Sequence, residues 1–277
     1  MVTGASRGIG LEAARGLAQL GATVVLTGRN RDRTEAAVAD VIATTGNPRV
    51  SCLLADFSSL SDVRELADEY LRNHESLHVL IHNAGVWHPR HTLSKDGFED
   101  TFAVNTLAPF LLSQRLLPVM TRSQPARIVN VSSRLHRKVD VSDVLEPKSS
   151  RSYRGLHAYS CSKLALQWVT LELARRLQGT GVTANTVHPG DIKSDIVRES
   201  RWARWGSVLI GPFLKTPEYG GRNLVYVATA PELDTVSGKY FRDFKERAPS
   251  AHALNETAAQ TLWTRCAEWA GTTSHGD

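Results

Sequence analysis

The sequence predicts an α/β fold, a doubly wound parallel sheet flanked by helices, and two observations carry that prediction. Apolar, β-branched runs at residues 23–27, 50–54, 77–82, 126–131, 183–188 and 239–242 read as strands, and runs of helical period at 11–20, 31–45, 60–73, 98–121, 158–177 and 218–229 separate them. Strand and helix in alternation imply right-handed crossovers, which lay the strands parallel and cover the sheet on both faces.

The first element is the exception. Gly4, Gly8 and Gly10 form a glycine-rich turn that should follow a strand, yet little more than Met1 and Val2 precedes it. A doubly wound sheet sets that strand at its centre. The expectation is therefore an apparently truncated first strand: residues absent before Met1, a misplaced start, or a stub. Losing several buried side chains at about 1.5–3 kcal/mol each would rival a domain's net stability of about 5–15 kcal/mol, so a truncated chain should be markedly unstable. Farther on, Ser59 and Asp62 have the spacing of a capping box for helix 60–73. Leu164, Leu166, Trp168, Leu171 and Leu173 give helix 158–177 its apolar pattern.

Two stretches break the rhythm. Residues 134–157 are polar and irregular, long for a loop, and read as functional or as an insertion. Residues 191–215 mix charges with Trp202, Trp205, Val208, Leu209, Ile210 and Phe213. Apolar side chains on a strand-to-helix connection suit a lid over a pocket, and equally a helix packed on the body. With no repeat or linker, the expectation is one domain, residues 1–277, with 191–215 as a substrate lid.

Composition narrows the function classes. The chain has 277 residues, 42% hydrophobic and 22% charged, enough for one large soluble domain. Its net charge of +5 is scattered, which suits anionic small molecules or an acidic membrane surface and argues against nucleic acid. Cys52, Cys161 and Cys266 are too few and too dispersed for a disulfide framework or a zinc site, so a reducing, cytoplasmic setting is the default. His82, His88 and His91 lack partner ligands and read as loop residues; no metal is expected. No apolar run reaches the roughly 18 residues of a membrane span, and no signal peptide opens the chain.

Chemistry concentrates at a few places. Tyr159 and Lys163 lie four apart on a helix, so phenol and ammonium share a face and converge on one ligand. A nearby cation stabilises phenolate and makes tyrosine a usable acid, although the same spacing in isolation fits an ordinary surface pair. The glycine-rich turn opens a helix whose N-terminal N–H groups suit a pyrophosphate, or it is a structural turn only. The next strand ends Leu26-Thr27-Gly28-Arg29-Asn30, with no acid for a ribose hydroxyl. Arg29, with Arg7 in the turn, offers positive charge for a 2′-phosphate instead.

Together Thr3-Gly4-x-x-x-Gly8-Ile9-Gly10, Asp56, Asn83-Ala84-Gly85, Asn105, Ser132-Ser133, Tyr159-x-x-x-Lys163 and Pro189-Gly190 resemble, in order and spacing, the short-chain dehydrogenase/reductases. The resemblance spans essentially the whole chain and is closest to the retinol dehydrogenase-like branch. Arg127-Ile128-Val129-Asn130-Val131-Ser132-Ser133, Val187-His188-Pro189-Gly190 and Ser237-Gly238-Lys239-Tyr240-Phe241 carry that likeness. It implies a Rossmann-like fold and NADP(H), held by Gly4, Ser6, Arg7, Gly8, Ile9, Gly10, Arg29, Asp56, Asn83, Ala84, Gly85, Tyr159, Lys163, Pro189, Gly190, Ile192 and Ser194. It implies Tyr159 as the general acid or base, with Lys163 tuning it and binding the nicotinamide ribose. Ser133 polarises the substrate oxygen, and Asn105 extends a proton relay through a water. Asp56 resembles the family's adenine contact. Two positions keep a second reading: Asn105 as a support of the helix bend near Pro109, and Ser132 as the working serine. Asp191 departs from the pattern, since an uncharged residue usually follows the Pro-Gly turn.

The expected function is NADP(H)-dependent interconversion of an alcohol and an aldehyde or ketone on an apolar, retinoid-like or lipid substrate. Alternatives are a reductase of a polycyclic or pigment-like carbonyl compound and a non-catalytic dinucleotide-binding sensor. The resemblance leaves membrane-surface association and homo-oligomer formation open.

Overall fold

The computed structural model describes residues 1–145, 152–192 and 214–272. Strands β1 (Val24–Gly28), β2 (Val50–Leu54), β3 (Val79–His82), β4 (Ala126–Val131), β5 (Val182–His188), β6 (Tyr240–Arg242) and β7 (Lys245–Arg247) form the sheet. The order is β2-β1 in one part and β3-β4-β5-β6-β7 in the other. Val2 joins the two parts through parallel bridges to Leu26 and Ile81. All pairings are parallel except the terminal β6–β7 hairpin. This is the doubly wound arrangement.

The expected first strand is thus a short central bridge. Val2 N–H donates to Val25 O at 2.9 Å and its carbonyl accepts from Thr27 at 3.0 Å. On the other side Thr3 N–H donates to Ile81 O and Ile81 N–H to Met1 O, both 2.9 Å. Val2 is fully buried. The turn that follows is therefore aimed by hydrogen bonds to both flanking strands.

Burial explains strand order. Every residue of β1, β4 and β5 is buried, as inner strands covered on both faces require. In β2 only Val50 is buried, which suits an edge. Helices α1 (Gly8–Gln19), α2 (Arg31–Thr45) and α6 (Pro217–Thr229) pack on one face through Ala13, Leu17, Val41, Leu224 and Val227. The other face is covered by α3 (Leu60–Asn73), α4 (Ala108–Arg122), α5 (Gly155–Arg176) and α7 (Glu256–Trp269), through Leu66, Leu111, Leu116, Trp168 and Leu262. Trp168 is wholly buried, and its indole N–H donates to His252 O at 2.7 Å.

Several expectations change in detail. The helix expected over 98–121 is broken into a turn at Asp100–Phe102, a π-helical turn at Ala103–Leu107 and α4. Pro109, at the start of α4, has no N–H to give, and the wider π-turn takes up the missing bond. His82 is no loop residue: it is buried in β3 with Nε2 2.8 Å from Ser113 Oγ. Ser59 caps α3, accepting from Asp62 N–H at 3.2 Å. The reciprocal half of the box is replaced, because the Asp62 carboxylate accepts instead from Asp56 N–H at 3.3 Å. The irregular insertion contains a 3-10 turn at Arg134–Lys138 and a short helix at Val141–Leu145. Most of the expected lid, with Trp202 and Trp205, lies outside the described residues. No described helix is long and apolar enough to cross a membrane.

Candidate active site

The site is built on the C-terminal ends of the strands, where crossover loops separate to leave a groove. Its lining includes Gly4, Ser6, Arg7, Gly8, Ile9, Arg29, Asp56, Asn83, Ala84, Gly85 and Ile192, all expected from the sequence. Asn30, Arg33, Phe57, Val86 and Val104 line it as well.

At one end the glycine-rich turn is stapled to the loop after β3. Thr3 Oγ accepts from the backbone N–H of Asn83 and of Ala84, both 3.0 Å. Asn83 Nδ2 donates back to Thr3 O at 2.9 Å and Gly4 O at 3.0 Å. This closeness requires glycine. A Cβ on Gly10 would lie 2.3 Å from Asn83 Nδ2, and one on Gly4, at φ +62°, would lie 2.8 Å from Ala84 Cα. Asn83 therefore fixes the turn rather than reaching outward. No side chain caps α1 at Arg7, so the first-turn N–H groups are presented to the groove.

Charge selects what the other end of the groove can take. Exposed Arg29 and Arg33 flank it, with Asn30 capping α2 by accepting from Arg33 N–H at 2.9 Å. An acid at Gly28 would be obstructed, because a Cβ there meets Thr34 Oγ at 2.3 Å. Asp56 Oδ1 already accepts from Ser58 N–H (3.0 Å) and Oγ (2.8 Å), and Oδ2 lies 3.3 Å from Lys95 Nζ. Burial alone would raise this carboxyl, but those bonds from Ser58 and Lys95 hold it below its ordinary value. Asp56 is thus an ionised groove-lining residue with its oxygens engaged by its own loop.

The reactive end joins three elements. Ser132 and Ser133 follow β4, and the strand's alternation sends their hydroxyls to opposite sides. Ser132 Oγ accepts from Gln167 Nε2 at 2.9 Å, and Gln167 Oε1 accepts from Thr186 Oγ at 2.8 Å, a buried structural chain. Ser133 Oγ instead accepts from Leu135 N–H at 3.3 Å and lies near the Tyr159 phenol, where it works against the effect of burial. Ser132 is thus engaged away from Tyr159, and Ser133 is the serine beside the phenol. Lys163, one turn along α5 from Tyr159, is 4% exposed and donates from Nζ to Val131 O at 2.8 Å. Its Nζ lies 5.6 Å from the centre of the Tyr159 ring.

Electrostatics here departs from the simple expectation that Lys163 depresses the tyrosine. Burial pushes the Tyr159 phenol up to about 12, with the nearby Ser133 side chain opposing part of that rise. Burial also brings the Lys163 ammonium down to about 8. The phenol is a protonated donor at neutral pH, and Lys163 sits near its titration point.

Asn105 lies in the π-turn, fully buried. Oδ1 accepts from Val86 N–H at 2.8 Å, while Nδ2 donates to Val86 O and Ser162 Oγ, both 3.0 Å. Its side chain thereby ties the loop after Gly85 to the helix carrying Tyr159 and Lys163. A Cβ on Gly85 would sit 3.2 Å from Asn105 Oδ1 and 3.7 Å from Lys163 Nζ, so glycine keeps that passage clear. Pro189 and Gly190 follow β5 and are buried, a Cβ on Gly190 (φ +110°) would lie 3.2 Å from Lys215 Cδ, and Asp191 O accepts from Lys215 N–H at 2.9 Å. The carboxylate of Asp191 pairs with Arg134 at 3.1 Å. Ser194 lies outside the described residues.

A family model described as short chain dehydrogenase matches residues 1–205. The chain is a short-chain dehydrogenase/reductase. Among its relatives, human (Homo sapiens) retinol dehydrogenase 11 is 41% identical over 265 residues, covering 95% of this chain and 82% of the relative. Mouse (Mus musculus) retinol dehydrogenase 13 is 38% identical over 279 residues, covering 98% and 83%. A short-chain dehydrogenase from Burkholderia cenocepacia, solved in complex with NADP, superposes with a TM-score of 0.70 at 27% identity, covering 91% of this chain and 96% of that one. The dehydrogenase is thus an oxidoreductase of the retinol dehydrogenase-like branch.

Proposed function

We propose that this dehydrogenase interconverts an alcohol with an aldehyde or ketone using NADP(H), and that its substrate is apolar, of a retinoid-like or lipid class. The observation that carries the reading is Ser133 beside Tyr159, one helical turn from Lys163, whose Nζ would lie 3.7 Å from a Cβ on Gly85, a residue of the groove that Arg29 and Arg33 also line. The groove residues fit the dinucleotide: a tight glycine cradle and uncapped helix N–H groups for the pyrophosphate, and arginines with no acid for a 2′-phosphate. Bound NADP(H) supplies the hydride chemistry. Ser133 orients the substrate oxygen and Tyr159 gives or takes its proton. Lys163, 5.6 Å from the centre of the phenol ring, would hold the nicotinamide ribose, and Asn105 holds the loop and helix that frame them. A non-catalytic sensor would use the groove and Lys163 for the dinucleotide, and would have no use for Ser133 beside the Tyr159 phenol.

Support for the apolar substrate comes from the relatives, whose names state retinol. NADPH oxidation measured against a panel of carbonyl compounds, including retinal and straight-chain aldehydes of increasing length, tests it. The expected result is a rise of kcat/KM with chain length, by up to about 0.8 kcal/mol per buried methylene. Indifference to length removes the apolar pocket.

Cofactor choice has its own test. Each charge-assisted contact is worth about 1.5–3 kcal/mol, so Arg29→Ala with Arg33→Ala should weaken NADPH at least about tenfold and leave NADH nearly unchanged. Equal affinity of the parent for NADH and NADPH in titration calorimetry would overturn the preference. The serines give a paired result. Ser133→Ala should lower kcat by about tenfold to a hundredfold with an unchanged melt. Ser132→Ala should lower stability by about 1 kcal/mol, because Gln167 loses its buried acceptor, and leave kcat near the parent's. The opposite assignment would make Ser132 the working residue.

A further inference from the structure

Basic residues that look scattered in sequence are gathered by the fold around a second hollow. Arg134, Arg137 and Lys138 come from the turn after β4, and Arg242 and Arg247 from the β6–β7 hairpin. Tyr240, Asp243 and Ala248 complete the lining, and no residue is shared with the dinucleotide groove. Asp243 is already engaged: it accepts from Lys215 Nζ at 2.5 Å and from the Tyr219 hydroxyl at 2.9 Å. Arg134 is paired with Asp191. Arg137, Lys138 and Arg247 have no acidic partner among the described residues.

Exposed basic side chains alone would be only a solvated face. What distinguishes this place lies beneath it. His188 pairs in register with Arg242, and directly paired residues on parallel strands point to the same face of the sheet. His188 is 4% exposed, and neither ring nitrogen has a hydrogen-bond partner; the nearest acid, Asp191, is 3.8 Å from Nε2. Arg242 Nε is likewise buried without a hydrogen bond, although Asp243 Oδ2 lies 3.2 Å away. An imidazole buried with both ring nitrogens unpartnered is costly and rare, so His188, paired with Arg242 on the next strand, marks a place that a hydrogen-bonding ligand completes. Arg137 is held in position by a hydrogen bond to the Ala248 carbonyl.

We propose that this hollow binds a phosphate group. Guanidinium forks arriving from the turn and from the hairpin suit a tetrahedral anion with several acceptor oxygens better than a planar carboxylate. Free phosphate and the headgroup of an anionic lipid present the same chemistry.

The test titrates inorganic phosphate into the dehydrogenase with NADPH present, so that the dinucleotide groove is filled. In parallel the protein is sedimented with phosphatidylcholine vesicles, with and without phosphatidylglycerol. Both arms are repeated on Arg137→Glu with Arg247→Glu, two exposed positions, and on Arg29→Ala as the control for the groove. The expected result is saturable phosphate binding, or vesicle binding that needs phosphatidylglycerol, weakened at least tenfold by the double reversal and untouched by Arg29→Ala. Phosphate binding alone identifies the free ion as the source, and binding only to phosphatidylglycerol vesicles identifies the headgroup. Binding in neither arm, or binding that the double reversal leaves unchanged, overturns the proposal. Should the double variant fail to melt cooperatively, Lys138→Glu carries the same comparison.

Discussion

Tyr159→Phe is expected to lower kcat for carbonyl reduction by about a hundredfold to ten-thousandfold, with NADPH affinity within about twofold of the parent. The ring of Phe fills the same space between Ser133 and Lys163, so the loss isolates the proton. The pH dependence sharpens the result. Burial sets the phenol at about 12, so between pH 6 and 8 it is almost wholly protonated, the form that reduction needs. Alcohol oxidation needs the other form. Its kcat/KM should therefore rise by about tenfold per pH unit over the same range, while reduction stays nearly level. Steady-state rates in both directions from pH 6 to 8 decide this. An oxidation rate flat in pH, or a Phe variant that keeps most of its turnover, would assign the proton to another group.

How much of this was legible in sequence depended on whether a residue's signal was local. Val50–Leu54, Arg31–Thr45, Leu60–Asn73 and Ala126–Val131 have the bounds that the sequence pattern predicts. Each carries a clean period and sharp ends, such as the Asn30 and Ser59 caps. Strand β7 reads Lys-Glu-Arg and is exposed at every position, so it has no apolar signal; only pairing with β6 makes it a strand. Helix α7 was missed for another reason. Its buried face includes Ala258, Ala259, Cys266 and Ala267, whose small side chains dilute the pattern that Leu262 and Trp263 begin. The break before α4 was half legible: Pro109 marks a bend, but its π-helical form, with Asn105 reaching Val86 and Ser162, depends on partners remote in sequence.

The site divides the same way. Tyr159, Lys163 and the glycines were legible because a fixed spacing on one helix or turn is itself the geometry. Arg33 had a signal that was passed over, four residues after Arg29 in the first turn of α2. Thr3 stands in the glycine-rich motif, but its hold on the Asn83–Ala84 backbone had no local signal, since those partners are about 80 residues away. The direction of the Tyr159 shift also could not be read from spacing. Desolvation depends on everything packed around the phenol, and here it outweighs a cation one turn away.

Lys163→Met is expected to abolish useful turnover and to make the protein more stable at neutral pH. Burial lowers the ammonium from 10.5 to about 8. Below pH 8 the folded chain therefore carries a desolvated charge, at a cost of roughly 3 kcal/mol at about 1.4 kcal/mol per pKa unit. Methionine fills similar space without that charge, but it leaves Val131 O without its donor, a loss of about 1 kcal/mol. The net gain should be about 1–2 kcal/mol in urea unfolding at pH 7. The sign of the pH dependence follows from proton counts. Between pH 8 and 10.5 the unfolded chain holds more protons than the folded one, so the parent gains stability as pH rises through that window. The advantage of the variant should shrink across the same window and be gone by its upper end. A variant less stable than the parent at pH 7, or a gain independent of pH, would mean that Lys163 is neutralised by partners rather than strained by burial. Lys163 would then be a structural asset, instead of a charge held in the core at the expense of stability for the sake of the proposed chemistry.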